Sequence, residues 1–304
     1  MPPASRLVLV DGTGSAYRAF YALPPLTASS GVPTNAVLGF ATMLLKLLRE
    51  EAPEAVAVAF DGPGPTTRHR EFAAYKANRP ETPVALVEQL PYILRFLEGL
   101  RIPALRLPGE EADDILGSVA VQAAAQGVLV TLITGDKDLL QLVGEQVTVR
   151  DPVKGRRTGP AEVREKFGVP PAGVPDFLAL MGDSVDNIPG VPGVGEKTAR
   201  ELLERFGSLE AVLDRAAEIP KAKLREAIRS HAEQARLSKR LAVIRTDLPL
   251  PWSLADFARR DPDTGLVLDL CRELTLTRLA AQFVQPSLEE GRPASGPPSA
   301  GGSP

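Results

Sequence analysis

The chain has 304 residues, 44% of them hydrophobic, and a formal net charge of −3, enough for one large domain or two small ones with a sizeable core. A single cysteine, Cys271, excludes a disulfide framework and a cysteine-based zinc site, and two histidines, His69 and His231, argue against His-rich zinc chemistry. No apolar stretch approaches the roughly 20 residues of a membrane span; the first residues lack a signal-peptide pattern, so the cytoplasm is expected.

Leu7-Val-Leu-Val10 is a short continuous apolar run, the pattern of a strand buried on both faces, and it ends in Asp11. Helices are predicted over 16–21 and 36–50. A second buried strand, 55–60, runs into Asp61 and a Gly/Pro turn. The composition then turns basic: 66–80 holds Arg68, Arg70, Lys76 and Arg79 against the single acid Glu71, with Tyr75 among them. An amphipathic helix is predicted over 84–97 and a weaker strand over 102–107. The acidic run Glu110-Glu111-Ala-Asp113-Asp114 opens a helix over 112–126. A strand over 128–134 leads to Gly135-Asp136-Lys137-Asp138. This alternation predicts an α/β fold with a mainly parallel sheet and covering helices. Gln146–Arg150 and the turn at Lys154-Gly155 predict a small hairpin. Beyond about 160 the chain reads as helical, at 161–167, 174–181, 196–206, 209–217 and 221–245, with two more helices within 262–284. The stretch 286–304 is poor in core residues and reads as a tail or linker.

Carboxylates follow each predicted strand, and sites in open parallel sheets lie beyond the strand C-terminal ends. Asp11, Asp61, the 110–114 cluster and Asp136 with Asp138 can therefore meet along one edge. Gathered acids repel and lose hydration, so such a cluster is destabilising unless cations neutralise it. Magnesium or manganese suits oxygen ligands, and two ions about 4 Å apart can activate water and stabilise the leaving oxygen of a phosphodiester. Asp183 and Asp186, three residues apart, would share one face of a helical turn. Gly190, Gly193 and Gly195 precede a helix starting near Glu196, where backbone N–H groups suit a phosphate; Glu196 between Gly195 and Lys197 rules out a P-loop. In the 66–80 segment, Lys and Arg would hold a nucleic-acid backbone and Tyr75 could stack on a base. Arg18 would lie on the first helix, facing the same edge.

Together these residues resemble the 5′ nuclease family, the 5′→3′ exonuclease domain of bacterial DNA polymerase I and its flap-endonuclease relatives. The likeness covers roughly 6–285 and is carried by Leu9-Val-Asp-Gly12 with Tyr17-Arg-Ala-Phe20, Phe60-Asp61 with Arg68, Tyr75-Lys76 with Arg79, and Glu111-Ala-Asp-Asp114. Thr134-Gly-Asp-Lys-Asp-Leu139 and Gly182-Asp-Ser-Val-Asp-Asn-Ile-Pro-Gly190, running into Val194-Gly-Glu-Lys-Thr-Ala199, complete it. The resemblance implies a PIN-like core over 1–173 with a basic arch at 66–82, and a helical DNA-binding region over 174–285 with a helix–three-turn–helix at about 176–206. It implies that Asp11, Asp61, Glu111 and Asp113 hold one metal, and that Asp113 or Asp114, with Asp136, Asp138, Asp183 and Asp186, serve a second. Arg18, Lys76 and Arg79 would contact the scissile or adjacent phosphates. Arg68, Arg70, Tyr75, Gly190, Gly193, Gly195, Lys197 and Thr198 would contact DNA, with potassium assisting at Gly193 and Gly195. Glu110 would face solvent.

The implied activity is cutting of DNA 5′ ends and 5′ flaps at nicks and junctions, by a monomer acting with or joined to a DNA polymerase, in replication and repair. The rivals are a non-catalytic junction binder that keeps the fold and a PIN-like ribonuclease. A binder gains nothing from acids that repel phosphates, and a hairpin that grips duplex disfavours the ribonuclease.

Overall fold

A computed structural model describes residues 5–284; the expected tail at 286–304 lies outside them. Six strands form one sheet in the order β3-β2-β1-β4-β5-β6. They are β1 (Arg6–Asp11), β2 (Ala55–Ala59), β3 (Ala104–Leu105), β4 (Leu129–Ile133), β5 (Val147–Arg150) and β6 (Arg157–Thr158). All pairs are parallel except β5 with β6, which form the expected hairpin. The alternating side chains of β1 and β2 feed two apolar clusters. Leu7, Leu9, Ala55 and Ala57 face one; Val8, Val10, Val56 and Val58 face the other. Burial on both faces is why these strands read as unbroken apolar runs.

Helices α1 (Gly12–Ala22), α2 (Asn35–Glu51), α3 (Thr67–Glu71), α4 (Val84–Val87), α5 (Leu90–Gly99) and α6 (Ala112–Ala125) connect the strands. α7 (Pro160–Phe167), α8 (Val174–Met181), α9 (Glu196–Phe206), α10 (Leu209–Asp214), α11 (Ala222–Ser230) and α12 (Ala232–Ala242) follow. α13 (Thr264–Glu273) and α14 (Thr277–Val284) return to the first part of the chain and pack on α5 and α2. Among the described residues no helix is long and apolar enough to cross a membrane.

Two predicted helices are divided. The 84–97 helix breaks at Glu88-Gln89, where fully buried Gln89 accepts from the N–H groups of Ala36 (2.7 Å) and Val37 (3.2 Å), so it serves the start of α2. The 221–245 helix ends near residue 242 and breaks at His231, between α11 and α12. The 182–190 stretch is a turn closed by reciprocal hydrogen bonds between Asp183 and Ile188, both 2.8 Å, rather than a helical turn.

Chain order reverses between β1 and β4: β2 and β3 lie on one side of β1, and β4 and β5 on the other. Ligands in such sheets bind beyond the strand C-termini at this switch point. Asp11, Thr134 and Asp136 stand there.

Candidate active site

Asp11 ends β1 and caps α1: its Oδ1 accepts from the Gly14 N–H at 2.7 Å, and its Oδ2 from the Thr134 hydroxyl at 3.1 Å. A side chain at Gly14 would collide with that carboxylate. Asp61, just past β2, accepts from the Ala112 N–H (2.8 Å) at the start of α6, where the helix dipole favours negative charge. Its own N–H donates to Thr13 Oγ1 at 2.9 Å. Asp136 accepts the N–H of Asp138 at 2.8 Å and donates its N–H to Thr134 at 3.0 Å. Thr134 thus orients two acids from between β4 and the loop. Its position in the Thr134–Leu139 motif was the signal for it.

A cavity of about 430 Å³ opens over these groups, lined by Asp11, Asp61, Asp113 and Asp136 together with Arg18, Lys76 and Arg79. Beside it Asp138, Asp183 and Asp186, all buried, each place a carboxylate oxygen within 4.8 Å of the others. Here the turn geometry of 182–190 does what a helical turn was expected to do. Lys137 pairs with Asp183 at 2.9 Å, and Arg79 pairs with Asp186.

Repulsion marks the cluster. Burial, with the charges of Asp61 and Asp136, lifts the Asp11 carboxyl to about 6 against its hydrogen bonds. Burial and then Asp136 and Asp11 push Asp113 well up; burial and then Asp136, Asp186 and Asp183 do the same to Asp138. Asp138 Oδ1 is buried without a hydrogen-bond partner. An orphaned buried carboxylate oxygen among all-oxygen donors fits a hard divalent cation. Arg18, in the same lining, has its Nη1 buried with no hydrogen-bond partner. The guanidinium fits only because Gly135 has no side chain; a Cβ there would sit 2.2 Å from Arg18 Nη2.

The basic segment is folded onto the acids. The Lys76 N–H donates to the Asp186 carbonyl at 2.9 Å, and Asn187 donates to the Ala74 carbonyl at 2.6 Å. Lys76 Nζ lies 3.1 Å from Glu111 Oε1. Burial works against its ammonium, but Glu111, Asp186 and Asp113 outweigh it and its pKa is raised.

Several expected roles change. Arg68 is buried and reaches no solvent-side phosphate: it donates to both oxygens of Asp114 (2.6 and 2.7 Å), to Glu111 (2.9 Å) and to the carbonyls of Leu241 and Val243. Asp114 also accepts the Arg245 N–H at 2.8 Å, so its oxygens are engaged away from the cavity. Tyr75 is 3% exposed and its hydroxyl donates to Glu111 at 3.2 Å, so its ring is not available to stack on a base. Glu110 does not simply face solvent; Arg245 Nη1 holds both of its oxygens, at 2.8 and 2.9 Å.

Gly190 is buried at φ +62°, with a Cβ position 2.3 Å from the Gly182 nitrogen. Its N–H donates to Ser238 Oγ at 3.1 Å and its carbonyl accepts from Gln234 at 2.6 Å, so it fastens the turn to α12. Gly193, Gly195 and Lys197 are exposed and Thr198 half-buried at the start of α9. Arg70 is exposed and donates to Thr67. Sequence reasoning passed over Lys137, Lys154 and Arg156, cations close enough to Lys166 that they add to burial in lowering its pKa.

A family model described as the 5′-3′ exonuclease N-terminal resolvase-like domain matches residues 6–168, and one described as the 5′-3′ exonuclease C-terminal SAM fold matches 169–265. The chain is 41% identical to a 5′-3′ exonuclease of Aquifex aeolicus over 90% of its own length and 93% of that protein. It is 47% identical to DNA polymerase I of Bacillus caldotenax over 95% of its length, yet spans only 33% of that relative. In fold it is similar to T5 5′-exonuclease with bound zinc (TM-score 0.66, 21% identity, 92% of this chain and 98% of that one). It is also similar to the catalytic core of Rad2 with DNA substrate (TM-score 0.63, 16% identity, 92% and 93%).

Proposed function

The chain belongs to the 5′-3′ exonuclease family, and we propose that it is a structure-specific DNA nuclease that hydrolyses 5′ ends and 5′ flaps with two divalent ions, magnesium or manganese. The observation that carries this is the convergence of Asp138, Asp183 and Asp186, with an unbonded buried oxygen, beside a cavity lined by acids and by Arg18, Lys76 and Arg79.

Asp138, Asp183, Asp186 and Asp136 would hold one ion; Asp11, Asp61, Asp113 and Glu111 the other. When bound, such ions neutralise the acids, activate water and stabilise the leaving oxygen. The chain's residues do the rest. Arg18, lining the cavity, would direct its guanidinium charge at a phosphate oxygen. Lys76, held protonated by Glu111, Asp186 and Asp113, supplies positive charge where it develops in the transition state. Arg79, half exposed at the rim, steadies the adjacent phosphate. Thr134 and Thr13 fix Asp11 and Asp61 so that little reorganisation is needed.

The exposed Gly193–Gly195 turn, Lys197 and Thr198 would grip the duplex backbone, with potassium at the turn, and Lys137, Lys154, Arg156 and Lys166 would extend that contact toward the acids. The substrate is DNA with a flap, nick or junction. A DNA polymerase, joined or separate, is the partner, and the cytoplasm the place of work. A non-catalytic binder is disfavoured, since unneutralised acids at the switch point would repel the DNA it must hold. A labelled 5′-flap duplex tests the proposal: cutting near the junction should require magnesium and stop with chelator, and metal-independent cutting or none refutes it.

A further inference from the structure

A second cavity, of about 240 Å³, lies between α1, α4 and α5 and shares Thr13, Tyr17 and Asp61 with the acid-lined one. We propose that it is a nucleobase subsite, taking one unpaired base of the strand being cut. The proposal rests on the nuclease function above and extends it to how the substrate is recognised.

The walls are apolar: Phe60, Leu86, Leu90 and Leu94. They are held in place. Gln89, between α4 and α5, donates to Asn35 Oδ1 at 3.0 Å and to the Ala85 carbonyl at 2.8 Å while accepting from the start of α2. Those bonds fix the break between α4 and α5, from which Leu86 and Leu90 reach the cavity. Phe60 stacks on Phe40 at 6.3 Å and fills the space over Gly12, where a Cβ would lie 2.7 Å from its ring. The pocket is therefore preformed.

A few polar groups also line it. Tyr17 and Thr82 share a hydroxyl contact. Arg106 donates its Nε to the Asp61 carbonyl at 3.1 Å, and its terminal nitrogens make no hydrogen bond or ion pair among the described residues. Apolar walls with a few convergent polar groups are how small planar ligands are held, and extruded bases are read by that combination of flanking apolar contact and edge hydrogen bonds. The position selects the ligand. A nucleotide whose phosphate lies over Asp61 brings a neighbouring base to this cavity.

The test is single-turnover cleavage of 5′-flap duplexes, each with one abasic nucleotide, walked across the junction in magnesium. In the wild type one position should slow cutting about tenfold, the scale of one lost base contact. Leu90→Trp and Leu94→Phe, which fill the cavity, should slow the intact substrate comparably and lose that positional penalty. No positional penalty in the wild type, or the same penalty in both filled variants, overturns the subsite. Failure to cut the intact flap in the wild type overturns the nuclease function itself, a separate outcome.

Discussion

Arg68 offers the sharpest test of how the site is held. Its side chain is 8% exposed, and its partners Asp114 and Glu111 are 2% and 6% exposed. Replacing it with Met leaves Asp114 with only the Arg245 N–H, whereas Glu111 keeps Lys76 and Tyr75. Breaking a buried pair by removing one partner costs about 3–5 kcal/mol, because a charge stays buried and uncompensated. At roughly 2–4 °C per kcal/mol, Arg68→Met should lower Tm by roughly 10 °C in chelator. Asp114→Asn alone should also destabilise, and the double variant should recover about 2 kcal/mol or more relative to the sum. Denaturant titrations of the four proteins give the cycle. If Arg68→Met loses under about 1 kcal/mol while DNA affinity falls and its salt slope drops by about one, Arg68 is a phosphate contact and the argument from burial is wrong.

Asp113→Asn removes an acid pushed well up by burial, Asp136 and Asp11; it should raise the metal-free Tm, leave DNA binding within a few-fold, and slow single-turnover cutting on the order of 1000-fold, beyond the 10–100-fold typical of a metal's outer partners. Unchanged turnover would remove Asp113 from the site. Lys76→Ala should slow cleavage about 100-fold with little change in DNA affinity; a loss confined to affinity makes Lys76 a positioning contact only. Metal-free stability should fall as pH rises. The Asp11 carboxyl goes from 3.8 to about 6 on folding, so the folded state binds that proton more tightly. Its stabilisation is complete below about 4 and is lost as pH climbs through about 6, for about 3 kcal/mol. Denaturation at pH 4.5 and 7.5, with and without magnesium, reads this; stability that rises with pH in chelator contradicts it.

The sheet was legible because β1 and β2 are buried on both faces, β4 carries its own apolar run, and an acid follows each closely, a pattern set by residues adjacent in sequence. The acids at Asp11, Asp61 and Asp136 could be placed together from strand order alone. What was not legible depends on contacts across the chain. Nothing near Gln89 shows that it serves the start of α2, so the 84–97 periodicity read as one helix. Arg68 looks like its basic neighbours until its partners at Asp114, Leu241 and Val243 are brought to it. Tyr75 and Gly190 differ from their expected roles for the same reason: each is buried by a segment far along the chain, at Asp186 and Ser238. Asp183 and Asp186 met Asp138 through a turn that residue spacing alone does not distinguish from a helix.

The central claim is that these acids form two cation sites, and manganese titration followed by electron paramagnetic resonance tests it most directly. The wild type should bind two ions per chain in the presence of flap DNA carrying an uncleavable linkage, Asp138→Asn and Asp61→Asn should each retain one, and the double variant none. A wild type that binds one ion or none, or single variants that still bind two, would contradict the account.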